Sequence, residues 1–216
     1  MRIRKKQQLN ICVDIDGTVT DSYYWLGHAN HFFGKNIAAE DVKDYEMHKV
    51  MGVAPEEISV FYDQHAADMH AKAEVRPGAA EVLRKFHGSH KIHFVTARQQ
   101  DMEKVSIDWL RRNHFPMDSI HHLGTHHKVA TAKALGSHLF IEDSLENARE
   151  LAQAGLWVLL LDCSYNQATL PRNVTRVRNW HQISDIISMC EPQAVRNGFQ
   201  WPKAQLVPAI WNLIIS

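Results

Sequence analysis

The stretch that decides the fold lies near the start of the chain, where residues 9–20 read LNICVDIDGTVT. Its apolar first half predicts a β-strand, and two carboxylates follow, Asp14 and Asp16. Successive side chains of an extended strand point in opposite directions, so these two acids point to the same side. Gly17 permits the sharp turn that ends the motif. The motif therefore presents two acids together at the end of a strand.

Two carboxylates this close repel each other, and without a cation one of them is driven toward its protonated form. A hard divalent cation removes that conflict. Mg²⁺ accepts carboxylate oxygens, keeps some of its waters and takes phosphate oxygens as further ligands. A structural alternative exists, because aspartates often hydrogen-bond their own backbone in turns. The motif favours a Mg²⁺ site and leaves the turn interpretation open.

After residue 77, apolar segments alternate with amphipathic ones, which predicts a parallel sheet with helices on both faces. We therefore predict an α/β fold: a three-layer, Rossmann-like parallel sheet whose ligands bind beyond the carboxyl ends of the strands. Residues 174–177 are the predicted edge strand. The predicted strands are residues 9–13, 91–95, 119–123, 138–141, 156–161 and 174–177; the predicted helices lie between Pro77 and Gly88 and over residues 101–113, 128–135, 144–154 and 181–189.

A segment from about residue 21 to residue 76 interrupts this alternation. Side chains spaced by three and four residues between Ile58 and Ala73 predict a long amphipathic helix, and a second helix is predicted over residues 23–33. The segment looks like a helical insert after the first strand. We predict a core domain of residues 1–20 and 77–190, a cap of residues 21–76 and a C-terminal extension of residues 191–216.

Two further motifs could bind an anion. Thr96 and Ala97 follow the second predicted strand, and a threonine hydroxyl and the next main-chain N–H can both donate to a phosphate oxygen. Lys128 opens a predicted helix, where a cation opposes the helix dipole unless an anionic ligand is bound. Each residue also has a structural alternative, as a strand end or as a solvent-facing lysine.

The fourth motif is Glu142-Asp143, at the end of the strand over residues 138–141. Adjacent carboxylates at the end of a buried strand are costly unless a cation or hydrogen-bond donors satisfy them. Capping of the following helix by one acid, or by Ser144 alone, does not readily account for both. The pair therefore favours a cation at the same edge of the sheet.

Composition narrows the class of protein. The chain has 216 residues, with 24 basic and 24 acidic side chains, so no net charge attracts a nucleic-acid polymer or an anionic membrane. No stretch approaches the roughly 20 apolar residues of a membrane span. Three cysteines without a CxxC pair favour a reducing cytoplasm over a disulfide framework. The apolar residues 206–215 are predicted to dock on the body or on a second subunit, as a homodimer element.

The order and setting of these four motifs resemble the haloacid dehalogenase superfamily of phosphohydrolases. The likeness covers about residues 9–21 and 77–189, and the insert resembles the helical cap of that superfamily. Within it, the chain is most similar to the 5'-nucleotidase type C group of deoxyribonucleotidase-like phosphatases. Two stretches support this, IEDSLENA at residues 141–148 and Tyr165-Asn166 followed by NVTRVRNW at residues 173–180.

The resemblance implies a role for each motif residue. Asp14 would be the nucleophile that forms an aspartyl-phosphate, and Asp16 the general acid and base, with Thr18 expected to orient Asp16. Mg²⁺ would bind the Asp14 and Asp143 carboxylates, the Asp16 carbonyl and, through water, Glu142. The phosphate would be held by Thr96, the Ala97 N–H and Lys128.

Several functional alternatives stay open at this point. Nucleoside monophosphates are the predicted substrates, with sugar phosphates or other small phosphate esters next. A phosphomutase or phosphonatase of the same superfamily is the nearest rival, and a phospholigand-binding relative without turnover is a different class. Residues 23–25 (YYW) could stack a nucleobase, although packing of a cap helix is slightly favoured.

Four histidines precede Lys128: His121, His122, His126 and His127. Imidazoles on one loop can bind zinc or nickel, but no ordered spacing supports a metal site here. A contact between one of them and the substrate at the mouth of the site is the favoured interpretation.

Overall fold

The structure, a computed structural model, describes residues 8–190. Within this range six strands form one sheet in the order β3-β2-β1-β4-β5-β6, and every neighbouring pair is parallel. The predicted α/β fold is thereby confirmed, with β6 at one edge. The strands are β1 (Asn10–Val13), β2 (Lys91–Thr96), β3 (Ser119–His122), β4 (Leu139–Glu142), β5 (Trp157–Leu161) and β6 (Val174–Val177).

Helices cover both faces of the sheet, and successive side chains of one strand therefore pack into different apolar clusters. In β1, Ile11 belongs to one apolar cluster, with Leu83 and Trp109, whereas Cys12 belongs to another, with Ala132 and Leu151. The three predicted layers are therefore present. The helices are α1 (Leu26–Phe33), α2 (Met47–Met51), α3 (Pro55–Lys72), α4 (Ala79–Phe86), α5 (Glu103–Arg112), α6 (Val129–Ala134), α7 (Leu145–Gln153) and α8 (Trp180–Cys190).

The first three helices lie between β1 and β2 in sequence and share an apolar cluster of their own, which includes Ala29, Met51, Phe61 and Met69. The segment that leaves the sheet after β1 and the segment that returns to it lie side by side, because Thr20 and Val75 form an antiparallel bridge. We call residues 21–76 the cap segment. The division into core, cap and extension stays a prediction, and the extension lies outside the described residues.

The structure differs from the prediction in two ways that matter for the site. The helix predicted from residue 23 begins at Leu26, so residues 23–25 lie in a turn that faces the strand ends. Tyr62 on α3 lies within the run of side chains between Ile58 and Ala73 whose spacing predicts an amphipathic helix, but it is 37% exposed and lines the cavity described below. Helical spacing alone does not distinguish a packed face from a cavity wall.

Candidate active site

Asp14 lies at the end of β1, in a buried cluster beside β4. Its main-chain N–H donates to the Ile141 carbonyl at 3.0 Å, which brings it beside the residues that follow Ile141. Lys128 Nζ donates to Asp14 Oδ1 and, at 2.7 Å, to Glu142 Oε1. Lys128 is only 2% exposed. The pairing of β1 with β4 thus places Asp14 near Glu142, and Lys128, at the start of α6, contacts both carboxylates.

Both carboxylate oxygens of Glu142 accept hydrogen bonds from protein donors. Oε1 accepts from Lys128 and, at 2.8 Å, from Asn147 Nδ2, while Oε2 accepts from the N–H groups of Asp143 (2.8 Å) and Ser144 (2.9 Å). Although burial opposes ionisation, Lys128 and these donors hold the pKa of Glu142 below its usual value. Glu142 therefore fixes the position of the Lys128 ammonium. Asn147 lies in the quoted stretch 141–148, but sequence reasoning assigned it no role.

Asp143 faces Asp14 across the turn that follows β1. Asp143 Oδ1 accepts from the Thr18 hydroxyl at 3.2 Å, and Oδ2 accepts from the Tyr165 hydroxyl at 2.5 Å. Thr18 also donates to Asp14 at 3.4 Å, so the expectation that it orients Asp16 is wrong. The reason is the turn at Gly17, whose φ of +75° sends the chain back over the strand ends.

The acidic residues form a group suited to a hard cation. Oxygens of Asp14, Glu142 and Asp143 all lie within 4.8 Å of one another, and Lys128 is the ammonium that touches two of these residues. Burial and the neighbouring carboxylates raise the pKa values of Asp14 and Asp143. When ionised, the three buried carboxylates carry more negative charge than one ammonium offsets, so binding of a cation would favour their ionised forms. Oxygen donors with excess charge fit Mg²⁺.

Asp16 lies outside the group of Asp14, Glu142 and Asp143 and forms an ion pair that sequence reasoning missed. Arg98 donates to it through Nε at 2.9 Å and through Nη2 at 2.6 Å, and the Tyr24 hydroxyl donates to Oδ1 at 2.8 Å. His70 Nδ1 lies 3.7 Å from the same oxygen. Although burial opposes ionisation, Arg98 lowers the pKa of Asp16. The only sequence signal for Arg98 was its position directly after Thr96 and Ala97.

The predicted phosphate-binding residues have different settings. Lys128 and Ala97 line the cavity together with the acids Asp14 and Asp143. Thr96 is fully buried, and its hydroxyl accepts the N–H of Arg98 at 3.2 Å. Thr96 thus shapes the loop that carries Ala97 and Arg98, and its contact with phosphate stays a prediction.

A cavity of about 690 Å³ opens above these groups, between the strand ends and the cap segment. Its cap wall includes Trp25, Tyr45 and Tyr62. Tyr45 is 39% exposed, and its ring forms a T-shaped contact with the ring of His126, with centroids 5.9 Å apart. The volume lies within the usual range for small-molecule sites.

The three aromatic residues at positions 23–25, after the turn at Gly17, make different contacts. Tyr24 bonds Asp16, Tyr23 shares a hydrogen bond of 2.8 Å with Ser164, and Trp25 lines the cavity. Tyr24 and Trp25 also pack against the apolar cluster of the cap segment, so the favoured packing expectation is confirmed for these two residues, although they lie in a turn rather than on a helix. The hydroxyl groups of Tyr23 and Tyr24 in addition reach polar partners on the core.

The four histidines before Lys128 do not gather into a metal group. Within residues 8–190, the metal-ligating group found is that of Asp14, Glu142 and Asp143. His127 points to Glu150 at 3.3 Å, whereas His126 lines the cavity. His126 at the cavity mouth agrees with the expected substrate contact, which stays a prediction.

The sequence of the chain is similar to that of a known protein family. The family model for 5' nucleotidase, deoxy (pyrimidine), cytosolic type C proteins matches residues 7–194. The chain belongs to this family. A nucleotidase of Clostridium acetobutylicum is 42% identical over 181 residues, covering 84% of this chain and 94% of its own. Membership of the type C nucleotidase family makes the chain a hydrolase of phosphoric monoesters.

Solved structures show that the type C nucleotidase chain has the haloacid dehalogenase fold. A haloacid dehalogenase-like hydrolase from Streptococcus pneumoniae superposes with a TM-score of 0.64 at 15% identity, covering 83% of this chain and 98% of that one. A hydrolase of the same superfamily from Deinococcus radiodurans, with phosphate and sodium bound, gives 0.61 at 14% identity, covering 88% and 98%. Within residues 8–190, no helix has both the length and the apolar composition needed to cross a bilayer.

Proposed function

We propose that the protein is a Mg²⁺-dependent nucleotidase that transfers the phosphoryl group of a nucleoside or deoxynucleoside monophosphate to Asp14 and then to water. The observation that carries this proposal is the convergence of Asp14, Asp143 and Lys128 at one end of the 690 Å³ cavity. Three buried free cysteines support a reducing, cytoplasmic location.

In the first step an oxygen of Asp14 forms a bond to phosphorus as the bond to the ester oxygen breaks. Lys128 holds Asp14 in place and lies beside the phosphate position, where it offsets the charge of the transferring group. Ala97, on the same cavity wall, offers a main-chain N–H to the phosphate oxygens. In the second step water displaces Asp14 from phosphorus, and inorganic phosphate leaves.

The Mg²⁺ ligands proposed are the carboxylates of Asp14 and Asp143 and the carbonyl of Asp16, with Glu142 contacting the ion through water. When bound, Mg²⁺ offsets the repulsion between the Asp14 carboxylate and the substrate phosphate. Glu142 also positions the Lys128 ammonium, which donates to its Oε1 atom.

Asp16 is the proposed general acid and base. It gives a proton to the leaving alkoxide and then takes one from the attacking water. Paired with Arg98, Asp16 is the carboxylate, which is the form that accepts the proton in the second step. To act as the acid in the first step, it must first leave Arg98 and take up a proton from solvent, and separation from Arg98 removes the charge that lowers its pKa. Tyr24 and His70 extend the contact into the cap segment, so placement of Asp16 depends on the cap.

We infer that the nucleoside of the substrate occupies the remainder of the cavity. Trp25, Tyr45 and Tyr62 offer aromatic surface for a base, and base–aromatic stacking contributes about 1–3 kcal/mol. The relative from Clostridium acetobutylicum is named a nucleotidase, which supports the same substrate class.

The test is phosphate release from deoxynucleoside monophosphates, ribonucleoside monophosphates and sugar phosphates, each with Mg²⁺ and with EDTA. The proposal predicts turnover that requires Mg²⁺, with the highest kcat/KM on a nucleoside monophosphate, and none in Asp14→Asn. A sugar phosphate as best substrate would contradict the substrate class. Binding of phosphate esters without turnover would contradict the enzyme itself.

A further inference from the structure

Tyr165 touches both the acidic group and the cap segment. It lies half-buried in the loop between β5 and β6, and its hydroxyl donates to Asp143 Oδ2 at 2.5 Å. This residue was quoted in the sequence only as part of a family likeness. The proposed chemistry assigns no role to Tyr165, although its hydroxyl contacts a proposed metal ligand.

The core side of this loop is firmly anchored. Asn166 is fully buried, and its Nδ2 donates to the carbonyls of Leu161 at 2.7 Å and of Asp143 at 2.8 Å. Asn166 therefore ties the loop to the same residue whose carboxylate Tyr165 contacts. The hydroxyl of Tyr165 is held near Asp143 by the fold of the core.

The other side of the loop contacts the cap segment. The Tyr165 ring forms T-shaped contacts with the rings of Tyr23 and Tyr45, with centroids 6.1 and 5.8 Å away. The neighbouring residue Ser164 shares a hydrogen bond of 2.8 Å with the Tyr23 hydroxyl and donates to the Val42 carbonyl. Movement of the cap away from the core would break these contacts.

We propose that Tyr165 is a positioning residue that couples the seating of the cap to cation binding at Asp143. This inference rests on the proposed function, since it takes Asp143 as a Mg²⁺ ligand. A carboxylate oxygen has two lone pairs, so the bond from Tyr165 orients Oδ2 and leaves one lone pair for a cation. Coupling between two sites is reciprocal, so bound Mg²⁺ in turn holds the cap in place.

The experiment measures the Mg²⁺ dissociation constant by calorimetry without substrate. Tyr165→Phe removes the hydroxyl and keeps the ring, and the expected result is affinity about tenfold weaker, as for other groups that orient metal ligands. Tyr23→Phe removes the cap-side hydroxyl and should weaken binding about fivefold. The double variant should bind no more weakly than Tyr165→Phe, because Tyr23 acts through Tyr165.

Two controls make the result specific. Tyr62→Phe removes a hydroxyl from the cavity wall of the cap and should leave Mg²⁺ affinity unchanged. Each variant is also melted in EDTA, so that a general loss of stability is separated from a loss of affinity. Hydrogen–deuterium exchange gives a second readout: Mg²⁺ should slow exchange over residues 21–45 in the wild type and not in Tyr165→Phe.

The outcomes separate this inference from the proposed function. If the wild type and Asp143→Asn bind Mg²⁺ equally, or neither binds it, the proposed metal site is wrong. If Asp143→Asn loses binding but Tyr165→Phe retains full affinity, the positioning inference is overturned while the metal site stands. Additive losses in the double variant, or full affinity in Tyr23→Phe, overturn the coupling to the cap.

Discussion

Lys128 is the residue on which the charge balance of the site depends. It is a buried cation in contact with two buried carboxylates, Asp14 and Glu142. Burial alone would lower the pKa of this lysine, but the two carboxylates raise it above its ordinary value. At neutral pH the ammonium is therefore charged, and it stabilises a group that would otherwise repel itself.

Lys128→Met keeps the volume and removes the charge. We expect the free energy of unfolding in EDTA at pH 7 to fall by about 3–5 kcal/mol, because removing one partner leaves buried carboxylates uncompensated. Urea unfolding measures the change. Lys133→Met, on the exposed end of α6, is the matched control and should change stability by less than about 0.5 kcal/mol. Equal stabilities in the two variants would show that Lys128 does not balance the buried charge.

Gly17 has no room for a side chain. A Cβ added there would lie 2.3 Å from Asp143 Oδ2 and 3.0 Å from the Tyr165 hydroxyl, and the residue has φ of +75°. Gly17→Ala should therefore displace Asp143 and lower kcat/KM by about 100-fold, as a 1 Å misplacement does. Gly27→Ala, where no atom lies within 4 Å, should leave kcat/KM unchanged. A Gly17→Ala variant with unchanged kcat/KM would show that the reacting atoms lie away from Gly17 and Asp143.

At the scale of elements, Asp118 joins β2 to the exposed edge strand β3. Its carboxylate accepts from Lys91 Nζ at 2.7 Å and from the Ile92 N–H at 2.9 Å, and its own N–H donates to the Ile92 carbonyl. Although burial opposes ionisation, Lys91 and the Ile92 N–H lower the pKa of Asp118. The ionised acid therefore stabilises the β2–β3 pair.

Because the folded-state pKa of Asp118 is depressed, its contribution is complete above the unfolded-state pKa of about 3.9 and is lost as the pH falls through the folded-state pKa. Asp118→Asn should lower the free energy of unfolding at pH 7 by about 1.5 kcal/mol. The deficit should shrink progressively below pH 4. Urea unfolding across this range tests it, with Asp185→Asn as the exposed control. A deficit that stays constant with pH would contradict the charge assignment.

At the scale of the whole molecule, the fold and the placement of the strand-end acids could be predicted from sequence. Strand–helix alternation implies a parallel sheet, and such a sheet brings the carboxyl ends of its strands to one edge. Asp14 and Asp143 follow β1 and β4, which are neighbours in the sheet. The periodic sequence pattern thus predicts that both acids lie at the same edge of the sheet, whereas the pairing of β1 with β4, which brings them together, is known from the structure.

The contacts made by loop side chains could not be predicted in this way. Arg98 meets Asp16 across 82 residues of sequence, and Tyr165 meets Asp143 across 22. Periodicity carries no information on where a loop side chain points, and the turn at Gly17 reversed the expected direction of Thr18. Loop geometry, set by buried anchors such as Asn166, decides these contacts.

The measurement that tests the central claim most directly is a crystal structure grown with Mg²⁺ and beryllium fluoride, which mimics a phosphoryl group on a carboxylate. The account predicts beryllium fluoride on Asp14, Lys128 beside its fluorines, and one Mg²⁺ that both Asp14 and Asp143 ligate. Beryllium fluoride on another residue, or a Mg²⁺ ion that touches neither aspartate, would contradict it.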